Sequence, residues 1–251
     1  MKTAILITAR LKSTRLPKKA IKPIVGKPMI RHQIDRLRLA ERPDQIIMCT
    51  SPVSQDDPLE KIAEDENIGC YRGEPEDVLL RLKNAAQKFG TDTVISCTAD
   101  NPLTDPIYID RLTEFHCEGD YDFSKIEGLP LGTFSYAVSR SAMEEACKIK
   151  AKRDTEVWGG YFTELDRFQV GTLQVEDEEV RLPDLRLTVD TPEDFELITE
   201  IFDNLYEGNS VFSLKDVVHL FARKPSLREI NKNVHQKEAP PISIHEQKQE
   251  G

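Results

Sequence analysis

Glycine is scarce at the front of this chain. There are 12 glycines in 251 residues and none before Gly26, which excludes a glycine-rich phosphate loop leaving a first strand. Long apolar runs are missing too: none exceeds the length of a core strand, so no membrane-spanning helix is expected. The apolar residues 4–7 are too short for a signal-peptide core, and Arg10 ends the stretch. The five cysteines (Cys49, Cys70, Cys97, Cys117, Cys147) lie far apart, form no Cys-x-x-Cys pair and are odd in number. That pattern excludes a disulfide scaffold and predicts reduced thiols in a cytoplasmic protein. The five histidines show no ligand spacing. His116 beside Cys117 is the one neighbouring pair, and on a helix the two point to different faces.

What the chain does have is unevenly spread charge. It carries 34 Lys and Arg against 44 Asp and Glu, a net of −10. Residues 1–42 hold 12 of the basic residues and two of the acidic ones, leaving 22 basic and 42 acidic residues behind them. The acidic bulk repels a nucleic-acid backbone, so no nucleic-acid partner is expected, whereas a compact polyanion such as a nucleoside triphosphate suits the basic front. Five cations (Arg10, Lys12, Arg15, Lys18, Lys19) crowd into ten residues right after the apolar run. A solvated basic face is the plainer account of such a cluster. Its place between a strand and a helix favours a polyphosphate cradle.

Strands and helices alternate along the sequence. Apolar strands are predicted at 5–8, 45–50, 69–71 and 93–98, with helices at 28–40, 76–89 and from Asp105-Pro106 onward. Residues 121–124 and 133–139 read as strands joined by a Gly/Pro segment, followed by helices at 141–149 and 153–165 and strands at 168–175 and 185–189. Thr191-Pro192-Glu193-Asp194 opens a helix to about residue 206, and Ser213 caps a last one to about 223. Alternation of this kind predicts an α/β protein with a mostly parallel sheet covered on both faces, and an antiparallel arm near 120–175. Residues 1–230 are expected to form one domain, with 231–251 a polar, partly disordered tail.

In an open parallel sheet, ligands bind beyond the carboxyl ends of the strands. The cationic loop, Asp100 after the strand 93–98 and Asp190 after the strand 185–189 all belong to that edge. Two hard carboxylates beside a triphosphate provide what Mg²⁺ needs. Each also has a purely structural reading: Asp190 as an orienter of the Thr191 turn, Asp100 as a turn residue before Asn101-Pro102.

Ala9-Arg10-Leu11-Lys12-Ser13-Thr14-Arg15-Leu16-Pro17-Lys18-Lys19, followed by Gly26-Lys27-Pro28-Met29-Ile30, resembles the opening of the cytidylyltransferases that make CMP-linked sugar acids. One branch is the 3-deoxy-manno-octulosonate cytidylyltransferases. The fuller likeness is to the spore coat polysaccharide biosynthesis branch. It adds Arg72-Gly73 with Asp77-Val78-Leu79, then Thr98-Ala99-Asp100-Asn101-Pro102, then Arg186 through Asp194. The likeness spans about residues 3–233. It implies a three-layer Rossmann-like nucleotidyltransferase fold and CMP transfer from CTP with Mg²⁺. In that reading Arg10, Arg15 and Lys19 are catalytic and hold the triphosphate, with Ala9, Ser13 and Asp100 beside the nucleotide and Arg72 and Gly73 near the cytosine. Asp100 and Asp190 hold the metal. The 120–175 arm serves acceptor binding and a homodimer, with Asn101, Lys125, Gly132, Tyr136 and Glu156 facing a small anionic acceptor.

The chain departs from the family where glycines often stand, at Lys12 and Lys18. In Asp154-Thr155-Glu156-Val157-Trp158 it keeps only the glutamate of an Arg-Glu-His segment, and Lys125 stands near an expected asparagine. These last changes leave the acceptor open among an ulosonic acid, an aminated sugar acid, a phosphorylated polyol and a phosphonate. Tyr136, Trp158 and Tyr161 are candidates for the pocket wall or for core packing. Competing functions are a sugar-1-phosphate nucleotidyltransferase using another triphosphate, whose opening is richer in glycine, a nucleotide-binding subunit without turnover, and a glycosyltransferase, which the lack of an Asp-x-Asp pair disfavours.

Overall fold

Alternating apolar residues on the first strand set the layering. The computed structural model describes residues 1–208, 210–237 and 239–245. In chain order the elements are β1 (Thr3–Thr8), β2 (Pro23–Ile24), β3 (Lys27–Pro28), α1 (Met29–Leu37), β4 (Gln45–Thr50), α2 (Asp57–Asp65), β5 (Gly69–Arg72), α3 (Val78–Phe89) and β6 (Thr93–Thr98). They continue with α4 (Pro106–Glu118), β7 (Phe123–Glu127), β8 (Tyr136–Ser139), α5 (Arg140–Ile149), α6 (Gly160–Thr163), β9 (Val170–Gln174), α7 (Pro192–Leu205) and α8 (Leu214–Arg223). Ile5 and Ile7 of β1 pack under α1, α4, α7 and α8, while Ala4 and Leu6 face α3 and α5. Side chains of period two therefore feed two cores, one on each face of a central sheet.

That sheet has seven strands in the order β5-β4-β1-β6-β8-β7-β9. Strand β8 runs antiparallel to both neighbours, and the other pairings are parallel. The predicted three-layer, mostly parallel α/β fold is the one observed. The antiparallel contribution of the arm is β8, built into the main sheet, while β2 and β3 form a separate small hairpin.

Two predicted elements need correction, and one helix was not predicted. Residues 185–189 join no strand of the sheet. They run extended and make a single parallel bridge, Leu131 to Arg186. Their buried Leu185, Leu187 and Val189 belong to the core beneath the helices. Their backbone is pinned by Leu187 N–H to the Leu131 carbonyl (2.7 Å) and by Val189 N–H to the Asp100 carbonyl (2.8 Å). The helix predicted at 153–165 shrinks to the single turn of α6. Lys150 and Thr155 both bind Asp77, which holds the preceding segment extended against the start of α3. Helix α2 has no counterpart in the sequence reading, because only Leu59, Ile62 and Ala63 of its nine residues are buried, too few to mark a period.

The predicted tail contributes contacts. Asn231 lies against α7, and Ile244 bridges to Lys150, with Ala151 N–H donating to the Ser243 carbonyl (2.8 Å). Residues 246–251, where disorder was also expected, lie outside the described residues.

His116 on α4 links folding to pH. Its Nδ1 lies 2.9 Å from Ser124 Oγ, and among the described residues its buried Nε2 has no partner. Burial pushes the imidazole down to about 4, with Asp122 and Asp120 opposing weakly. Between that value and the unfolded value of about 6.5 the unfolded chain binds the extra proton, so stability falls as pH drops through this window. His32, also buried and shifted down, acts in the same direction. Urea unfolding at pH 7 and pH 4.5 should show a loss on the order of 2 kcal/mol that His116→Gln reduces. An identical pH dependence in the variant would contradict this.

Candidate active site

Register brings the site together. Thr8 of β1 is level with Cys49 of β4 and Thr98 of β6. The loop 9–19 and Asp100 therefore leave the sheet side by side. Ala9 N–H donates to the Cys49 carbonyl (3.1 Å) and Ala99 N–H to the Thr8 carbonyl (3.0 Å), which locks both exits. The Val189–Asp100 backbone bond then carries Asp190 to the same place. The loop ends in a tight turn at Lys19–Ile21, reached through a left-handed Lys18 (φ 55°), and this turn aims Lys19 inward.

Lys19 Nζ is 3.0 Å from Asp100 Oδ2, 3.0 Å from Asp190 Oδ1 and 2.7 Å from the Val189 carbonyl oxygen. Arg15 Nη2 is 3.2 Å from the same Asp190 oxygen. Thr98 Oγ1 donates to Asp100 Oδ1 at 2.5 Å. Burial disfavours the Lys19 charge, but the two carboxylates outweigh it and hold the ammonium above its ordinary range. Burial likewise works against the Asp190 charge, yet Lys19, Arg15 and Arg186 hold this carboxyl below its usual range. Both charges stay ionised at neutral pH.

The Lys19 ammonium fills the space between the two acids. Two carboxylate oxygens each 3.0 Å from one nitrogen face a common point, and a divalent ion there could take one oxygen from each. Among the described residues no set of three or more His, Cys, Asp or Glu gathers around a point. A metal here has only Asp100 and Asp190 from the protein, which fits Mg²⁺, an ion that keeps water and phosphate oxygens in its shell. A cation entering this position has to displace Lys19.

The remaining residues singled out from sequence divide by position. Arg10 and Lys12 both pair with Glu76, each at 3.2 Å. Ser13 Oγ caps the loop by accepting from Leu16 N–H (3.4 Å). Arg72 binds the Ser51 and Val53 carbonyls, Glu60 (2.5 Å) and Asp57 (2.6 Å), so its fork braces α2 against the 51–53 turn. At Gly73 an added Cβ would meet the Tyr71 ring at 2.5 Å, so that ring would have to move aside. Asn101 donates to Thr98 Oγ1 (2.9 Å), beside Asp100. On the arm, Lys125 pairs with Glu127 (2.6 Å), and Tyr136, 36% exposed, stacks on Phe123 with Phe134 and Trp158 at its edges. Glu156 is exposed in the loop whose Thr155 N–H donates to the Glu76 carbonyl (3.2 Å).

Four residues that hold the site were given no role from sequence. Buried Asp56 accepts from Leu11 N–H (2.7 Å) and Ser51 Oγ (2.5 Å), anchoring the start of the cationic loop. Gln33 Nε2 donates to the Thr98 and Asn101 carbonyls and fixes the Asp100 turn. Glu76 neutralises the loop, and Arg186 grips Asp190. Arg186 had a signal in its place within the Arg186–Asp194 motif. Asp56, Gln33 and Glu76 had none.

Cations and carboxylates gathered at the carboxyl edge of such a sheet suit the binding of phosphoryl groups. Residues 4–218 match the family model described as cytidylyltransferase, and the chain belongs to that family. It is a CTP-dependent nucleotidyltransferase. The spore coat polysaccharide biosynthesis protein SpsF of Bacillus subtilis is 28% identical over 228 residues, covering 88% of this chain and 94% of that one. The 8-amino-3,8-dideoxy-manno-octulosonate cytidylyltransferase of Shewanella amazonensis is 29% identical over 167 residues, 65% of each chain. Among solved structures, a cytidylyltransferase from Leptospira borgpetersenii shares the fold with a TM-score of 0.82 at 24% identity, over 95% of this chain and 100% of that one.

Gly132 tests how Asp190 is placed. It has φ +96°, and an added Cβ would lie 2.4 Å from Thr188 N. Gly26 has φ +76° but open space around it. Gly26→Ala should cost only backbone strain, about 1–2 kcal/mol, and Gly132→Ala clearly more in urea unfolding, because the 187–190 segment must shift. Equal costs would contradict the packing described.

Proposed function

We propose that this enzyme transfers CMP from CTP to a small anionic acceptor, releasing pyrophosphate, in surface polysaccharide biosynthesis. The acceptor is a sugar acid or a phosphorylated or phosphonylated compound. The observation that carries the reading is the meeting of Arg15, Lys19, Asp100 and Asp190 at one point on the sheet edge. Family membership supports the donor, and the names of SpsF and the octulosonate enzyme support the acceptor class and the pathway.

In this reading an acceptor oxygen attacks the α-phosphorus of CTP, and the bond to the bridging oxygen of the β-phosphate breaks as pyrophosphate departs. Arg10, Arg15 and Lys19 leave their carboxylate partners for the triphosphate and neutralise charge on the leaving group. The guanidinium groups bind two oxygens at once, which lysine cannot. Ala9 and Ser13 shape the loop under the phosphates, and Arg72 and Gly73 fix the wall on the cytosine side. Asp100 and Asp190 would hold Mg²⁺, which when bound supplies Lewis acidity and charge neutralisation at the reacting phosphate. Asn101, Lys125, Gly132, Tyr136 and Glu156 line the acceptor side. The protein acts mainly by alignment and electrostatics: a phosphate or phosphonate acceptor attacks through an oxygen already ionised, whereas a sugar-acid hydroxyl gives up its proton to water as it attacks. The arm also supplies the contact of a cytoplasmic homodimer.

Pyrophosphate release, measured with each nucleoside triphosphate across sugar-acid, polyol-phosphate and phosphonate acceptors, tests the reading. CTP should support turnover, and Lys19→Ala and Asp100→Asn should each lower kcat on the order of 10²–10³-fold in protein that still folds. Turnover with UTP or GTP but not CTP, or near-normal rates in both variants, would overturn it.

A further inference from the structure

Arg186 stands four residues before Asp190, in the extended segment under the helical layer. Its Nε lies 2.9 Å from Asp194 Oδ1, and its Nη2 lies 3.0 Å from Asp194 Oδ2 and also 3.0 Å from Asp190 Oδ2. Its Nη1 donates to Gln236 Oε1 (2.6 Å). One planar fork thus spans two carboxylates. Its side chain is 10% exposed and that of Asp194 is 0% exposed, so the geometry is held on all sides.

Asp194 is itself immobilised. As the acid of the α7 capping box it accepts from Thr191 N–H (3.1 Å), and it also takes Asp190 N–H (3.0 Å) and Asn231 Nδ2 (2.9 Å). Asn231 further donates to the Arg186 carbonyl (3.2 Å). A capping box needs none of the last three bonds, and an anchor for α7 needs only the Arg186–Asp194 pair. The additional bond to Asp190 does something else. It occupies Oδ2 and leaves Oδ1 as the oxygen shared by Lys19 and Arg15, beside Asp100.

We propose that Arg186 is a positioning residue for the transfer reaction, holding Asp190 Oδ2 so that Oδ1 alone is presented toward Asp100 for a divalent cation. The inference rests on the reading of Asp100 and Asp190 as the cation's ligands. It makes Asn231 and Asp194 outer supports of the same carboxylate. Lysine at 186 keeps the charge but cannot span both acids.

Mn²⁺ binding followed by electron paramagnetic resonance, with CTP present and acceptor absent, separates this role from simple anchoring. The parent, Arg186→Lys, Asn231→Ala and Asp190→Asn are compared, with thermal unfolding run on each. Arg186→Lys should fold and bind Mn²⁺ about 10-fold or more weakly, the usual cost of losing an outer-shell partner. Its kcat should fall in parallel while the KM for CTP at saturating metal stays near the parent's. Should Arg186→Lys not fold, Asn231→Ala carries the test through a smaller loss, about threefold. Unchanged Mn²⁺ affinity in a folded Arg186→Lys, or in Asn231→Ala where that is the variant that folds, would overturn the positioning role. If Asp190→Asn also binds Mn²⁺ like the parent, the cation reading falls with it. If Asp190→Asn alone is weakened, only the role of Arg186 is lost.

Discussion

One ammonium group holds the working edge of this enzyme together. Lys19 is 81 residues from Asp100 and 171 from Asp190, yet it sits 3.0 Å from a carboxylate oxygen of each. Without it two partly buried acids would face each other at close range, a costly arrangement. Such a pair contributes little net stability once desolvation is counted, but it fixes geometry. The backbone does the coarse work: Val189 N–H on the Asp100 carbonyl brings the two turns into contact, and Gly132 makes room for the strand-like segment that delivers Asp190.

The same logic extends along the cationic loop. Each cation assigned to the triphosphate already has a carboxylate of this chain beside it: Glu76 for Arg10, Asp190 for Arg15, both aspartates for Lys19. The acidic bulk of the chain, where 42 of its 44 acids lie beyond residue 42, thus supplies a partner for each of these cations. In the proposed reaction a triphosphate would exchange for these acids rather than enter an unpaired field.

Much of this was legible in the sequence. Strands β1, β4 and β6 are continuous apolar runs, and α7 and α8 open on capping boxes, signals local enough to survive without tertiary context. The cationic loop and Asp100 were readable because their places at strand ends fix where they emerge, whereas Asp190 reaches the same edge on a segment that joins no strand and is held there by the Val189 N–H bond to the Asp100 carbonyl. What escaped depended on partners distant in sequence. Residues 185–189 alternate like a strand, but their burial comes from helices rather than from a second strand. Lys19 read as a phosphate ligand, and its position between the acids follows from the Lys18 turn. Arg72 read as a base-side residue, and its brace to α2 required a helix that too few apolar residues announce. Arg186 belonged to a motif, but its grip on Asp190 is visible only once Asn231 closes behind Asp194.

The central claim is that Lys19 and a divalent cation compete for one position between Asp100 and Asp190. Equilibrium Mn²⁺ binding to the nucleotide-free protein, parent against Lys19→Met, tests it most directly. Removing the internal ammonium should tighten Mn²⁺ binding by about tenfold or more, a difference of about 1.4 kcal/mol. Equal or weaker binding in a folded Lys19→Met protein would contradict the account.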